Sequence, residues 1–104
     1  MVYIDIKKET SPICDRITID ESDIEISNIV KIDTDNWGDD DCPKMVTTVS
    51  AIDIKIKENV ASKFNEIKDI MIIRYNYYNP AYHLNCHQQS CETQPDGSLL
   101  LKYA

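Results

Sequence analysis

Apolar and polar residues alternate along much of the chain, which is the period of strands with one buried face. The clearest case is the stretch 45–56, where Ile52, Ile54 and Ile56 share one face and charged residues occupy the other. Shorter alternating or apolar stretches lie at 2–6, 16–20, 70–78 and 98–104. We therefore expect a mostly antiparallel sheet of about five to six strands.

The stretch 20–33 fits two interpretations. Ser22 followed by Glu25 matches a capping box, which would open a helix. Residues 24–32 instead keep a period of two that slips at Asn28, and they are rich in β-branched side chains. We favour a strand with a bulge or a break.

The period changes near Glu58, after the best strand. Apolar residues then recur at the spacing of an amphipathic helix, namely Val60, Phe64, Ile67 and Met71. This pattern predicts one helix over about 58–69, packed on one face of the sheet. The expected fold class is α+β, in a single domain covering residues 1–104.

Eighteen acidic residues against eleven basic ones give a net charge of −7. Direct binding to nucleic acid demands a basic surface, so this balance argues against it and favours a basic protein partner. Neither a signal peptide nor an apolar run of about 20 residues is evident, so we expect no membrane contact and a cytoplasmic location in the producing or host cell. The abundance of Ile, Asn and Lys suggests an AT-rich bacterial, phage or viral genome.

The stretch 33–44 (DTDNWGDDDCPK) combines one tryptophan with five aspartates. Tryptophan is a frequent anchor of protein interfaces, and surrounding carboxylates steer a basic partner. The residues expected to bind such a partner are Trp37, Asp33, Asp35, Asp39, Asp40 and Asp41. The alternative is that Trp37 fills the core from the loop.

Residues 82–91 (YHLNCHQQSC) contain both histidines of the chain and two of its four cysteines. A zinc ion needs four donors, and the candidates here are His83, Cys86, His87 and Cys91. A disulfide between Cys86 and Cys91, or a plain loop, explains the same residues. We expect no cofactor, with zinc at this cluster as the alternative, and no catalytic set is evident.

These patterns favour a small acidic, non-enzymatic binding protein. We expect it to act as an inhibitor, immunity or anti-defence module that docks on a basic, nucleic-acid-handling protein. One alternative is a structural subunit of a virion or other assembly, which forms a homo-oligomer by edge pairing. Another is a small module stabilised by zinc at 83–91.

Overall fold

The structure is a computed structural model that describes residues 1–6, 15–64, 70–75 and 80–104. Its strands are β1 (Val2–Ile6), β2 (Asp15–Ile19), β3 (Ile24–Asn36), β4 (Met45–Ile56), β5 (Ile70–Tyr75), β6 (Ala81–Leu84), β7 (Gln88–Thr93) and β8 (Leu99–Tyr103). All eight belong to one curled sheet in the order β2-β1-β5-β6-β4-β8-β7, with β3 paired to β4. A 3-10 turn at Glu21–Asp23 precedes β3.

Strand β4 organises the sheet because it pairs with three other strands. Its first part, 46–49, runs parallel to β6, and its last part, 52–56, runs antiparallel to β8. Strand β3 lies along its other side. The predicted alternation in β4 is confirmed, since Ile52, Ile54 and Ile56 are fully buried.

The curled sheet encloses a core of aliphatic side chains drawn from most of its strands. The largest fully buried side chains are Phe64, Ile4, Ile52, Ile54, Ile56, Ile73, Leu101, Val2 and Val49. Strand pairing between distant parts of the chain therefore brings the core together. Each β-branched residue fits this environment well, because it packs readily on a pleated surface.

The α+β prediction is wrong. The described residues contain eight strands rather than five or six, and the one α-helix, α1, covers only Glu58–Ala61. Residues 62–64 form a turn, and the rest of the predicted helix, 65–69, lies outside the described residues. Phe64 is fully buried from this turn, so its place in the apolar spacing reflects a core contact. Helix α1 also has no side-chain cap at Lys57, and a single turn gains little from backbone bonding.

The strand interpretation of 24–32 is confirmed. Asp20, rather than Ser22, caps the preceding turn by accepting a hydrogen bond from the Ser22 amide. The register with β4 then shifts between Ser27 and Val30, where Asn28 has a φ of 50°. The slip in the apolar pattern at Asn28 therefore marks a real bulge.

Helices among the described residues are too short to cross a membrane.

Candidate functional site

Every residue from Val30 to Met45 is exposed, and we call this stretch the exposed segment. Five large hydrophobic residues are exposed in the described part of the chain, and four belong to it: Val30, Ile32, Trp37 and Met45. Trp37 is 47% exposed and so does not fill the core. Exposed apolar side chains are common at interaction sites, so this segment is the candidate site.

The side chain of Asn36 organises the tip loop, residues 37–44. Its Oδ1 accepts hydrogen bonds from the amides of Gly38 and Lys44, both at 2.9 Å. The Trp37 amide donates to the Lys44 carbonyl at 2.8 Å and closes the loop. A Cβ atom at Gly38 would collide with the Cys42 carbonyl, so only glycine fits there.

Trp37 rests on His83, with ring centroids 5.1 Å apart and planes tilted by 57°. His83 lies in β6 opposite Thr48 of β4, and Thr48 lies opposite Asp33 of β3. Cross-strand neighbours share a face, so Asp33, Thr48 and His83 form one row on the same side of the sheet. Trp37 is thus held at one side by the sheet and is open to solvent at the other.

All five aspartates of the site are exposed. Three of them accept a backbone hydrogen bond: Asp33 from Thr34, Asp35 from Asn36, and Asp39 from Cys42. Asp40 and Asp41 make no hydrogen bond or ion pair within the part of the chain that the structure describes. The carboxylates therefore shape the loop and still present acceptor oxygens to solvent.

The four candidate zinc ligands occupy different surroundings. His83 contacts Trp37, while Cys86 follows β6 and packs against the core. His87 pairs through its backbone with Ala104, and Cys91 is exposed in β7. Within residues 1–6, 15–64, 70–75 and 80–104, no three His, Cys, Asp or Glu side chains are arranged to hold a metal ion.

The three described cysteines are free thiols, so the structure contains no Cys86–Cys91 disulfide. Burial raises the pKa of the Cys86 thiol, which disfavours its nucleophilic thiolate form. Cys42, in the tip loop, and Cys91, in β7, are both exposed. They offer two accessible attachment points in different parts of the molecule.

The sequence analysis missed a charged cluster on β1, β2 and β5. The carboxylate of Asp5 accepts a hydrogen bond from Nε of Arg16 at 2.8 Å, and Nη2 of Arg74 lies 3.8 Å from it. Asp5 and Arg16 are 11 residues apart along the chain but directly opposite in the sheet. Since Asp5 is nearly buried, the two arginines compensate its charge, and the cluster joins three strands.

A cleft of about 670 Å³ lies between the turn at Glu21–Asp23, α1 and the turn before β8. Two of its carboxylates contact other groups of the cleft, since Asp96 forms a 3.7 Å ion pair with Lys55 and Asp23 accepts a hydrogen bond from Asn59 at 3.3 Å. Hydrogen bonds from the Ser98 side chain and backbone lower the pKa of Asp96. The cleft is thus a groove of mixed charge whose polar groups serve the local structure.

Comparison with protein-family models, curated proteins and solved structures found no match to this chain. The geometry and charge of the exposed segment are therefore the basis for inferring its function.

Proposed function

We propose that the chain is a small acidic, non-enzymatic binding protein that docks its tip loop on a basic protein partner. The observation that carries this proposal is the half-exposed Trp37, set in a segment with five exposed aspartates. The partner class that fits is a protein with a cationic surface, such as one that handles nucleic acid. Binding there would inhibit or neutralise the partner.

The tip loop is organised before any partner arrives. Asn36 and Asp39 tie its backbone, and His83 supports one side of the Trp37 ring. A preorganised anchor loses little conformational entropy on binding, so more of its contact energy appears as affinity. A half-exposed aromatic anchor is well suited to fill a pocket on the partner.

The charge of the exposed segment supports a basic partner. Five aspartates stand against Lys31 and Lys44, so the segment is acidic within a chain that already carries −7. Such a field accelerates encounter with a basic surface and repels nucleic acid. The carboxylates would occupy the positions where a nucleic-acid-handling protein holds phosphates.

Two native thiols allow a matched crosslinking experiment. A photoreactive maleimide is attached to Cys42 in one variant and to Cys91 in another, with the remaining cysteines replaced in each (Cys14→Ser, Cys86→Ala and the exposed thiol not in use→Ser). Both labelled proteins are irradiated in lysate of the producing cell, and the adducts are identified by mass spectrometry. Cys42 lies in the tip loop, while Cys91 reports a different exposed surface of the same protein.

We expect basic proteins to be captured from Cys42 and not from Cys91. Unlabelled wild-type protein should compete for this capture. Equal capture from the two positions, or capture of neutral and acidic proteins alone, would contradict the proposal.

A further inference from the structure

One side of the sheet faces away from the core, and we call it the outer face. Ile73 and Leu84 are buried in the core. Successive side chains of a strand point to opposite sides of a sheet, so their neighbours Ile72 and His83 lie on the outer face. Trp37 rests on His83, and the anchor of the tip loop therefore lies on the outer face as well.

The strand registers place six residues in one row across the outer face. Each is directly opposite the next in a neighbouring strand, in the order Asp33, Thr48, His83, Ile72, Asp5 and Arg16. Neighbouring strands lie about 4.8 Å apart, so the row is about 24 Å long. A protein interface of ordinary size covers about 800 Å² on each partner, which corresponds to a patch of about this width.

The row carries opposite charges at its two ends. Asp33 and Asp35 lie at the β3 end and point to the same side of the strand. At the other end, Arg16 and Arg74 share the carboxylate of Asp5, so these three groups together carry one positive charge. The side chains of the two arginines are 45% and 29% exposed, which leaves both accessible to another molecule.

Aromatic and aliphatic side chains separate the charged ends. Trp37 is half-exposed, and Ile72 is half-buried opposite His83. The guanidinium carbon of Arg16 lies 5.6 Å from the centroid of the Tyr3 ring, a cation–π contact that helps to hold this arginine on the outer face. Protein interfaces commonly have such a centre with charged groups around it.

We propose that the docking surface extends from the tip loop across the outer face to Arg16 and Arg74, and that the partner presents charges of both signs. The cationic surface of the partner meets the aspartates, and an acidic side chain roughly 20 Å away meets the two arginines. This inference rests on the proposed function, which supplies the basic partner. It adds specificity, because a uniformly basic protein is repelled at the arginine end.

Thr18 gives experimental access to the arginine end. It is exposed in β2, two residues after Arg16 and on the same side of the strand. The photoreactive maleimide is attached to Thr18→Cys in a chain whose native cysteines are replaced (Cys14→Ser, Cys42→Ser, Cys86→Ala and Cys91→Ser). We expect this protein to capture the same basic protein that labelled Cys42 captures, and labelled Cys91 should not capture it.

Charged substitutions at the same position test the sign of the partner's charge. Unlabelled Thr18→Glu and Thr18→Lys proteins compete for capture from labelled Cys42, and Thr93→Glu, at an exposed position of the opposite end strand β7, is the matched control. We expect Thr18→Glu to compete about twofold to fivefold less well than the wild type, because its carboxylate faces the acidic side chain of the partner. Thr18→Lys and Thr93→Glu should compete at least as well as the wild type.

Thr18→Glu is the most telling variant. It raises the net charge from −7 to −8, so it should compete better than the wild type if the partner were basic along the whole face. That result would overturn the inference, as would the absence of capture from Thr18→Cys when Cys42 captures a basic protein. Failure of Cys42 itself to capture a basic protein would instead contradict the proposed function, and the inference would fall with it. Circular dichroism and the urea midpoint verify that each variant is folded.

Discussion

The two halves of the β3–β4 hairpin differ in the surroundings of β3, which is partly buried in one half and exposed in the other. In the half next to the core, Ile24 and Ile26 lie opposite Ile56 and Ile54, and all but Ile26 are buried. In the far half, the β-branched residues of the exposed segment are accessible to solvent. Strand β4 is paired on its other side in both halves, with β6 along 46–49 and with β8 along 52–56, and its Val46 and Val49 are buried. The exposure of the far half is therefore confined to β3, the tip loop and the first residue of β4. Apolar residues in a strand therefore do not by themselves identify a core.

Asn28 lies where the two halves meet. Its bulge shifts the register with β4, and its side chain donates to Asp53 at 2.7 Å. A bulge increases local twist and bends the strand. The break thus separates a half that stabilises the fold from a half that is free to make contacts.

The largest contrast is expected from two isoleucines, one in each half. Ile54→Ala should lower the free energy of unfolding by about 3–4 kcal/mol, because Ile54 is fully buried and leaves a cavity. Ile32→Ala should change it by less than about 0.5 kcal/mol, because Ile32 is 56% exposed. Urea unfolding at pH 7 and low protein concentration measures both. Comparable losses would mean that the exposed segment also supports the fold.

A smaller effect is expected from Tyr75, at the end of β5. Burial raises the pKa of Tyr75 to about 12 from 10.0, and Tyr82 and Glu21 add to the shift. The phenol of Tyr75 therefore loses its proton at a lower pH in the unfolded chain than in the folded chain. Its contribution to the free energy of unfolding is complete below pH 10 and decreases as the pH rises toward 12. With Tyr75 only partly buried, we expect a loss of about 1 kcal/mol between pH 9 and pH 11.

Tyr75→Phe should remove this part of the alkaline loss. The test is urea unfolding of the wild type and the variant at both pH values, and the quantity of interest is the difference between their losses. An identical pH dependence in the two proteins would exclude Tyr75 as its source.

An effect of similar size is expected at the junction of the two halves. Asn28→Ala should lower the free energy of unfolding by about 1 kcal/mol, because alanine tolerates a φ of 50° poorly. Asn28→Gly should be close to neutral, since glycine adopts this conformation readily. Thermal or urea unfolding distinguishes backbone strain from the loss of the hydrogen bond to Asp53. Equal losses of stability in the two variants would assign the effect to the hydrogen bond, because both variants lack it.

Local patterns predicted six of the eight described strands and missed β6 and β7, which contain most of the stretch 82–91. The alternation in 45–56 identified β4 and its buried face, and the slip at Asn28 identified the bulge in β3. These features depend on residues that are close together in the sequence, so the alternation of apolar and polar residues indicates them directly. The helical spacing misled at Phe64, because a turn that buries one aromatic ring continues the spacing of a helix after α1 has ended.

Long-range contacts could not be predicted in the same way. The sequence indicated Trp37 and the aspartates as one site and His83 as part of another, yet Trp37 rests on His83. Likewise, Asp5 and Arg74 meet only because β1 pairs with β5. Such contacts depend on strand order and register. Neither can be predicted from the local pattern of apolar and polar residues in one sequence.

The central claim is that the exposed segment serves contact and the core half of the hairpin serves stability. Its most direct test is whether unlabelled Trp37→Ala protein competes with capture of basic proteins from labelled Cys42. We predict that this variant remains folded, with a loss of about 1–2 kcal/mol for its half-buried ring, and competes at least about tenfold less well than the wild type. Competition equal to that of the wild type would contradict the account.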